Sequence, residues 1–356
     1  MRVECPKCLR VSSISGDYIV THKRGLEYSC SKCKADFQIQ LSLPEEPAKN
    51  LIDGPPADDR QTRLISPVAE TEEETKIRSL KSKILRSLVE LPPMPNIILK
   101  ARQIMEDPGS SLKDLSAVIE HDQAIVARVL ALANSAYYGL SGLVSSIQHA
   151  SILLGQRTLG ELITIAASSR LLSKKLKGYQ LNPGDLWKHS LAVALGSKII
   201  AKKKNSQLVE DAFIAGLLHD AGKIILDPYV LEHHKVFKKF LNGGQQKNVE
   251  AEREILGFDH AEVMSRAARF WRYPKTQTTA IRYHHYPLHS GGCELAFIVH
   301  LADFAAQEAG FNSGRMSTSA GIDPQVLSRL GFQQTELNGI IAGITQSVEK
   351  LATELQ

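Results

Sequence analysis

The chain has 356 residues, 43% of them hydrophobic, and 43 Lys and Arg against 38 Asp and Glu give it a formal net charge of +5. That length allows two or three domains with a sizeable core, while so mild a charge, with no basic run interleaved with aromatics, argues against a dedicated nucleic-acid binder. No apolar run reaches the roughly 18 residues of a membrane span, and Met1-Arg2-Val3-Glu4-Cys5 leads into no apolar leader core. A cytoplasmic protein with no membrane partner is expected.

Residues 1–42 carry two pairs, Cys5-Pro6-Lys7-Cys8 and Cys30-Ser31-Lys32-Cys33, among short strand-like runs such as Tyr18-Ile19-Val20 and Phe37-Gln38-Ile39-Gln40. Two C-x-x-C pairs close a tetrahedral shell around one zinc ion, and a closed shell is structural. So small a segment needs such a staple to fold. In a reducing compartment the pattern favours metal over disulfide. A redox dithiol would need a βαβ frame, which is missing. The segment is similar to the zinc ribbons at the front of bacterial regulatory proteins, which implies a small β domain, and a protein contact or simple domain stability is the expected job. Nucleic-acid binding through Lys7, Lys23, Arg24, Lys32 and Lys34 is the weaker reading, and it predicts a steep salt dependence.

Residues 43–75 hold Pro44-Glu45-Glu46-Pro47, Gly54-Pro55-Pro56 and Glu70-Thr71-Glu72-Glu73-Glu74 with no apolar period. They read as a flexible acidic linker. From residue 76 to 356 the pattern is helical. Leu112, Leu115, Val118 and Ile119 recur at helical spacing, as do Ile125, Val129, Leu132 and Ala133 after Asp122, an N-cap. Trp187, Leu191, Ala194, Leu195 and Ile199 form another stripe with His189 on its flank. Lys202-Lys203-Lys204 ends that helix, where cations suit the dipole. The body is expected to be all-α.

His219-Asp220-Ala221-Gly222-Lys223 follows the apolar run Phe213-Ile214-Ala215-Gly216-Leu217-Leu218. A buried carboxylate needs a partner, usually a cation. His189, His260, His284, His285 and Asp303 are the residues such a cation would want. Imidazole with carboxylate suits iron, manganese, zinc or magnesium. Lys223 lies one turn after His219, where its ammonium could meet a phosphate oxygen. His233-His234, between Glu232 and Lys235, reads as a solvated face. His300, three residues before Asp303, is expected to orient that carboxylate. Cys293 is expected to be a small buried hydrophobe.

From Leu91 to about Asp303 a series of motifs resembles the HDOD family, a bacterial branch of the HD-domain superfamily. They are Leu91-Pro92-Pro93-Met94-Pro95, Glu106-Asp107-Pro108, Val118 to Asp122, and Arg128 through Asn134-Ser135-Ala136-Tyr137-Tyr138-Gly139. Ile147 to Gly155, Leu186-Trp187-Lys188-His189-Ser190, Gly216 to Gly222, Glu254 to His260 and His284-His285 complete the series. The Asn134–Gly139 run reads as structural, with Asn and Ser bonding local backbone. His121-Asp122 reads as a helix start rather than a ligand pair.

The resemblance implies roles. His189, His219, Asp220 and Asp303 match a one-metal set, with Asp220 the bridge if there are two metals. His260, His284 and His285 match positions that complete two-metal sites in the related HD-GYP phosphodiesterases. Lys223 matches the H-D-x-G-K motif of that branch. There are departures too. His284-His285 runs into Tyr286-Pro287-Leu288-His289, without the following acidic residue or the Gly-Tyr-Pro segment, and Met264 stands where Gly is usual. The resulting reading is a cytoplasmic bacterial regulatory protein whose HDOD module binds a signalling protein or a nucleotide-type ligand. The alternative is a metal-dependent phosphohydrolase acting on a nucleotide or cyclic dinucleotide, with Asp220 and Lys223 as its catalytic residues.

Overall fold

The computed structural model describes four short strands, Arg2–Glu4 (β1), Val11–Ser13 (β2), Leu26–Ser29 (β3) and Asp36–Ile39 (β4). It then describes residues 72–352, apart from 91–95, 108, 121, 141, 242–247 and 315–321. The chain divides into two units, Met1–Pro67 and Val68–Gln356. In the first, β1 pairs antiparallel with β2, Val3 opposite Ser12, and β3 with β4, Tyr28 opposite Phe37. Cys5, Cys8, Cys30 and Cys33 lie outside the described residues, as do the Tyr18–Val20 run and the five basic residues of the nucleic-acid reading.

The second unit is built of helices, with a single isolated bridge, Leu176 to Leu181, among its described residues. Its helices are α1 (Glu72–Glu90), α2 (Asn96–Glu106), α3 (Leu112–Ala117), α4 (Gln123–Ala133) and α5 (Ile147–Leu172). Next come α6 (Asp185–Lys204), α7 (Val209–Leu218), α8 (Gly222–Glu232), α9 (His234–Leu241) and α10 (Asn248–Leu256). The last are α11 (His260–Phe270), α12 (Lys275–Tyr283), α13 (Glu294–Glu308), α14 (Pro324–Leu330) and α15 (Gln334–Ala352). Helix α1 begins at Glu72, inside the segment read as linker. An acidic run suits a helix N-terminus, where the dipole is positive. Among the described residues no helix is long and apolar enough to cross a membrane.

Two helices organise the unit. Helices α2, α3 and α4 pack on α5, which kinks at Gly155, where φ is 76° and ψ 167°. That left-handed backbone is cheap only for glycine. Asp122 caps α4 by accepting the Ile125 N–H at 3.1 Å. Asn134 ends the same helix, its Oδ1 accepting the Val144 N–H at 2.8 Å and its Nδ2 donating to the carbonyls of Val144 and Leu130 at 2.9 Å. Structural bonding thus accounts for the asparagine of that run.

The second organiser is α6, which packs on α7, α13 and α15. Leu191 through Leu195 are all buried, so the stripe expected from the spacing widens to nearly the whole circumference. A helix buried on every side occupies the centre of its domain. His189, on α6, is thereby carried into the core.

Candidate metal centre

Six elements meet here. His189 comes from α6, His219 and Asp220 from the turn that ends α7, and Lys223 from the first turn of α8. His260 opens α11, His284 and His285 follow α12, and Asp303 lies on α13. The start of α11 is fixed by Asp259, which accepts the Glu262 N–H at 2.6 Å and is itself bridged by Arg253 and Arg282. Gly222 explains why the His-Asp pair is followed by glycine. A Cβ there would lie 2.0 Å from the His260 carbonyl oxygen, so α8 reaches α11 only without a side chain.

The ring nitrogens are sorted by their partners. The Nδ1 of His189, His219 and His284 lie 2.8, 2.7 and 2.8 Å from the carbonyls of Phe311, Gly216 and Ile281, to which each donates. That of His260 donates to Glu252 Oε2 at 2.7 Å. Every Nε2 therefore turns inward. His189 Nε2 lies 3.4 Å from Asp220 Oδ2 and 3.3 Å from Asp303 Oδ1, and 3.1 Å from His219 Nε2. His260 Nε2 lies 3.0 Å from Asp220 Oδ1 and 2.9 Å from His285 Nε2. Two groups of ligand atoms share Asp220. One is His189, His219 and Asp220, and the other is Asp220, His260, His284 and His285; Asp303 joins His219 and His284 in a third.

Most of the site is closed from solvent, with His285 its half-buried member. His189, His219 and His284 are 0% exposed, Asp220 and His260 1%, and Asp303 and Lys223 5%. Burial pushes His189 down, but hydrogen bonds and charges from Asp220 and Asp303 outweigh it and leave it at about 9. Burial is likewise overcome at His260 by Glu252 and Asp220, giving about 10. Nothing overcomes it at His284, which burial and the charges of His219 and His260 depress to about 3. Burial also lowers His219, and with His284 and His260 it lowers His285 well below the imidazole range. For Asp220, burial opposes ionisation, yet Lys223, His219 and His260 hold the carboxyl well below its usual value. His189 does the same for Asp303 against the cost of burial.

The donor set fits a divalent cation. Asp220 Oδ1 and His284 Nε2 are buried and have no hydrogen-bond partner. Both are acceptors, and they face each other at 3.8 Å. Asp220 Oδ1 has the His260 Nε2 beside it as a charge partner at 3.0 Å. Leaving a buried acceptor such as His284 Nε2 bare costs about 1–3 kcal/mol, and a cation between it and Asp220 removes that cost.

The structure brings together His189, His219, Asp220, Lys223, His260, His284, His285 and Asp303. Lys223 Nζ donates to Asp220 Oδ2 at 2.6 Å and to Ser313 Oγ at 2.8 Å. His300 departs from expectation. Its Nδ1 meets the His284 carbonyl at 2.6 Å, while Asp303 Oδ1 accepts from the Gln307 amide at 2.8 Å and faces His189 Nε2 at 3.3 Å. Spacing of three placed His300 on the right helix face without fixing what it reaches across the helix. Cys293 is half-buried at the N-cap of α13 rather than sunk in the core. Met264 is buried among core residues. His234 is exposed as expected, and His233 is half-buried, bonded to the Tyr229 carbonyl. The sequence reading missed Glu252, Tyr179, Ser313 and Gln307.

Residues 91–287 match the HDOD domain model. The fold is similar to a crystal structure of an HDOD domain protein of unknown function from Geobacter sulfurreducens, with 27% identity and a TM-score of 0.66. That match covers 78% of this chain and 98% of the other. A Shewanella amazonensis protein provisionally named a phosphohydrolase is similar at 25% identity and a TM-score of 0.61, over 77% and 98% of the two chains. A Treponema pallidum protein of uncharacterised function is 25% identical over 228 residues, which is 63% of this chain. The aligned stretch spans 43% of that relative's length, under half of it.

Proposed function

The chain belongs to the HDOD domain family, and from that premise we propose that its helical unit is a regulatory module of bacterial signal transduction built around a divalent-metal centre. His189, His219, Asp220 and Asp303 would hold one ion, and Asp220, His260, His284 and His285 a second, with Asp220 between them. The observation that carries the metal reading is the facing pair of buried, unpartnered acceptors, Asp220 Oδ1 and His284 Nε2. Nitrogen-rich donors with carboxylate suit iron, manganese or zinc better than magnesium. A bound divalent ion would supply Lewis-acid polarisation of a phosphate ester.

Enclosure supports regulation over turnover. A catalytic metal keeps a coordination position that substrate can reach, whereas five of the ligands here are at most 1% exposed and solvent reaches the cluster mainly beside the half-buried His285. The Lys223 ammonium, which a phosphate would want, is already spent on Asp220 and Ser313. The module's own ligand is then a signalling protein or a nucleotide bound elsewhere on the unit. For the N-terminal segment, structural zinc on Cys5, Cys8, Cys30 and Cys33 is proposed from their spacing alone.

A second reading, metal-dependent phosphohydrolase, is favoured by one observation: Lys223 stays beside Asp220, as the H-D-x-G-K pattern of the phosphodiesterase branch requires. A nucleotide or cyclic dinucleotide would be its substrate. The two readings separate in an assay of the Mn(II)-loaded full-length chain against bis(p-nitrophenyl) phosphate, a generic diester. The regulatory reading expects no hydrolysis above that of Asp220→Asn. Turnover that this substitution abolishes would overturn it in favour of the enzyme.

A further inference from the structure

Glu252 is 0% exposed and lies on α10, eight residues before His260. Its Oε2 accepts two hydrogen bonds from that one residue, from the backbone N–H and from ring Nδ1–H, both at 2.7 Å. Its Oε1 accepts the Tyr179 hydroxyl at 2.8 Å. Tyr179 is itself anchored. The N–H groups of Gly178 and Tyr179 donate to Asp227 Oδ1 at 2.7 and 3.2 Å, and Leu176 pairs with Leu181 to close the turn. Within it Gln180 takes a left-handed φ of 57°, a conformation that costs about 1 kcal/mol or more. Asp227 belongs to α8, the helix that carries Lys223. A continuous line of polar contacts thus runs from α8 through the turn to Glu252, and from Glu252 to His260.

A buried carboxylate is an expensive way to pack a helix. Glu252 does what no apolar residue could. By taking the backbone N–H and the ring N–H on one oxygen, it fixes both the rotation of the His260 imidazole and the nitrogen that carries the outward proton. Nε2 is left to face Asp220 and His285. The other half of the centre lacks this feature, since His189 and His219 donate to neutral backbone carbonyls. Carboxylate behind a ligating histidine raises its basicity, and losing it typically weakens metal binding about 10–100-fold.

We propose that Glu252 is the positioning residue of the Asp220–His260–His284–His285 half, held in place by Tyr179, and that it makes this half the tighter of the two for a divalent cation. The inference rests on the reading that the centre binds metal. Its test is Mn(II) titration of the full-length chain followed by electron paramagnetic resonance, because thiolate sites disfavour this hard ion. The wild-type chain should bind a pair of ions with a coupled spectrum. Glu252→Gln keeps the shape and an acceptor for His260 but removes the charge. It should weaken one ion about tenfold or more, leave the other within about twofold, and give the spectrum of isolated Mn(II) at low loading. Tyr179→Phe should weaken the same half to a smaller degree, and it decides the matter if Glu252→Gln fails to fold. Unchanged affinity in both halves, or an equal loss in both, would overturn the inference while leaving the metal reading standing. A wild-type chain that takes up no Mn(II) would overturn the metal reading and this inference with it.

Discussion

His284 Nε2 and Asp220 Oδ1 stand 3.8 Å apart in a closed interior, both acceptors, neither with a hydrogen-bond partner. The His284 ring cannot be turned to relieve this, because its Nδ1 is held by the Ile281 carbonyl. Nor does a proton solve it, since burial and the neighbouring charges keep His284 neutral down to about pH 3. In the metal-free chain the positive charge that Asp220 and Asp303 demand sits elsewhere, on His189, His260 and Lys223.

That distribution predicts proton release. His189 titrates at about 9 and His260 at about 10, so both are protonated at pH 7.5, and a metal requires the Nε2 of each without its proton. Mn(II) uptake at pH 7.5 should therefore release about two protons per chain. Affinity should rise with pH until those groups have titrated. Calorimetry in buffers of different ionisation enthalpy reads the number. Heats independent of the buffer would contradict the protonation pattern.

Lys223 competes with metal for Asp220. Its ammonium lies 2.6 Å from Asp220 Oδ2, and a unit positive charge within about 5 Å of a divalent ion is strongly repulsive even with partial screening. Lys223→Met should tighten Mn(II) binding roughly fivefold or more. Weaker binding would show that Lys223 instead supports the ligand geometry. If the chain is a phosphohydrolase, the same variant should bind metal more tightly and turn over less.

Gly222→Ala should act through packing. The added Cβ would meet the His260 carbonyl oxygen at 2.0 Å, and that obstacle is backbone rather than a flexible side chain. Overpacking of this kind costs about 1–3 kcal/mol, and here it pushes α11, with His260, away from Asp220. A lower urea midpoint together with weaker Mn(II) uptake is expected. Wild-type values for both would show that the α8–α11 approach is not tight in solution.

Much of the centre was legible because its residues break a pattern. His219-Asp220 interrupts an apolar helix, His284-His285 is a doubled imidazole, and His189 flanks a core stripe. Asp303 was named as a carboxylate that a buried cation would want, and its place in a one-metal set came from the resemblance to HD domains. Glu252 was readable in principle. Val249, Glu252 and Leu256 recur at spacings of three and four, which puts a carboxylate on the apolar face of α10, and such a residue needs a partner. Tyr179 and Ser313 sit in irregular segments where no period says which way a side chain points. Only tertiary structure brings them to the site. His300 shows the opposite failure, since helical spacing gave its face while its partner lies on another element.

The helical unit is expected to hold metal through Asp220. Elemental mass spectrometry of the full-length chain and of Asp220→Asn, with folding of both checked by circular dichroism, tests it most directly. Any zinc held by the four N-terminal cysteines is common to both proteins and cancels in the difference. The wild-type chain should carry iron, manganese or zinc in near-stoichiometric excess over a folded variant. Equal metal content in the two folded proteins would contradict it, leaving the histidine cluster a closed, proton-balanced core.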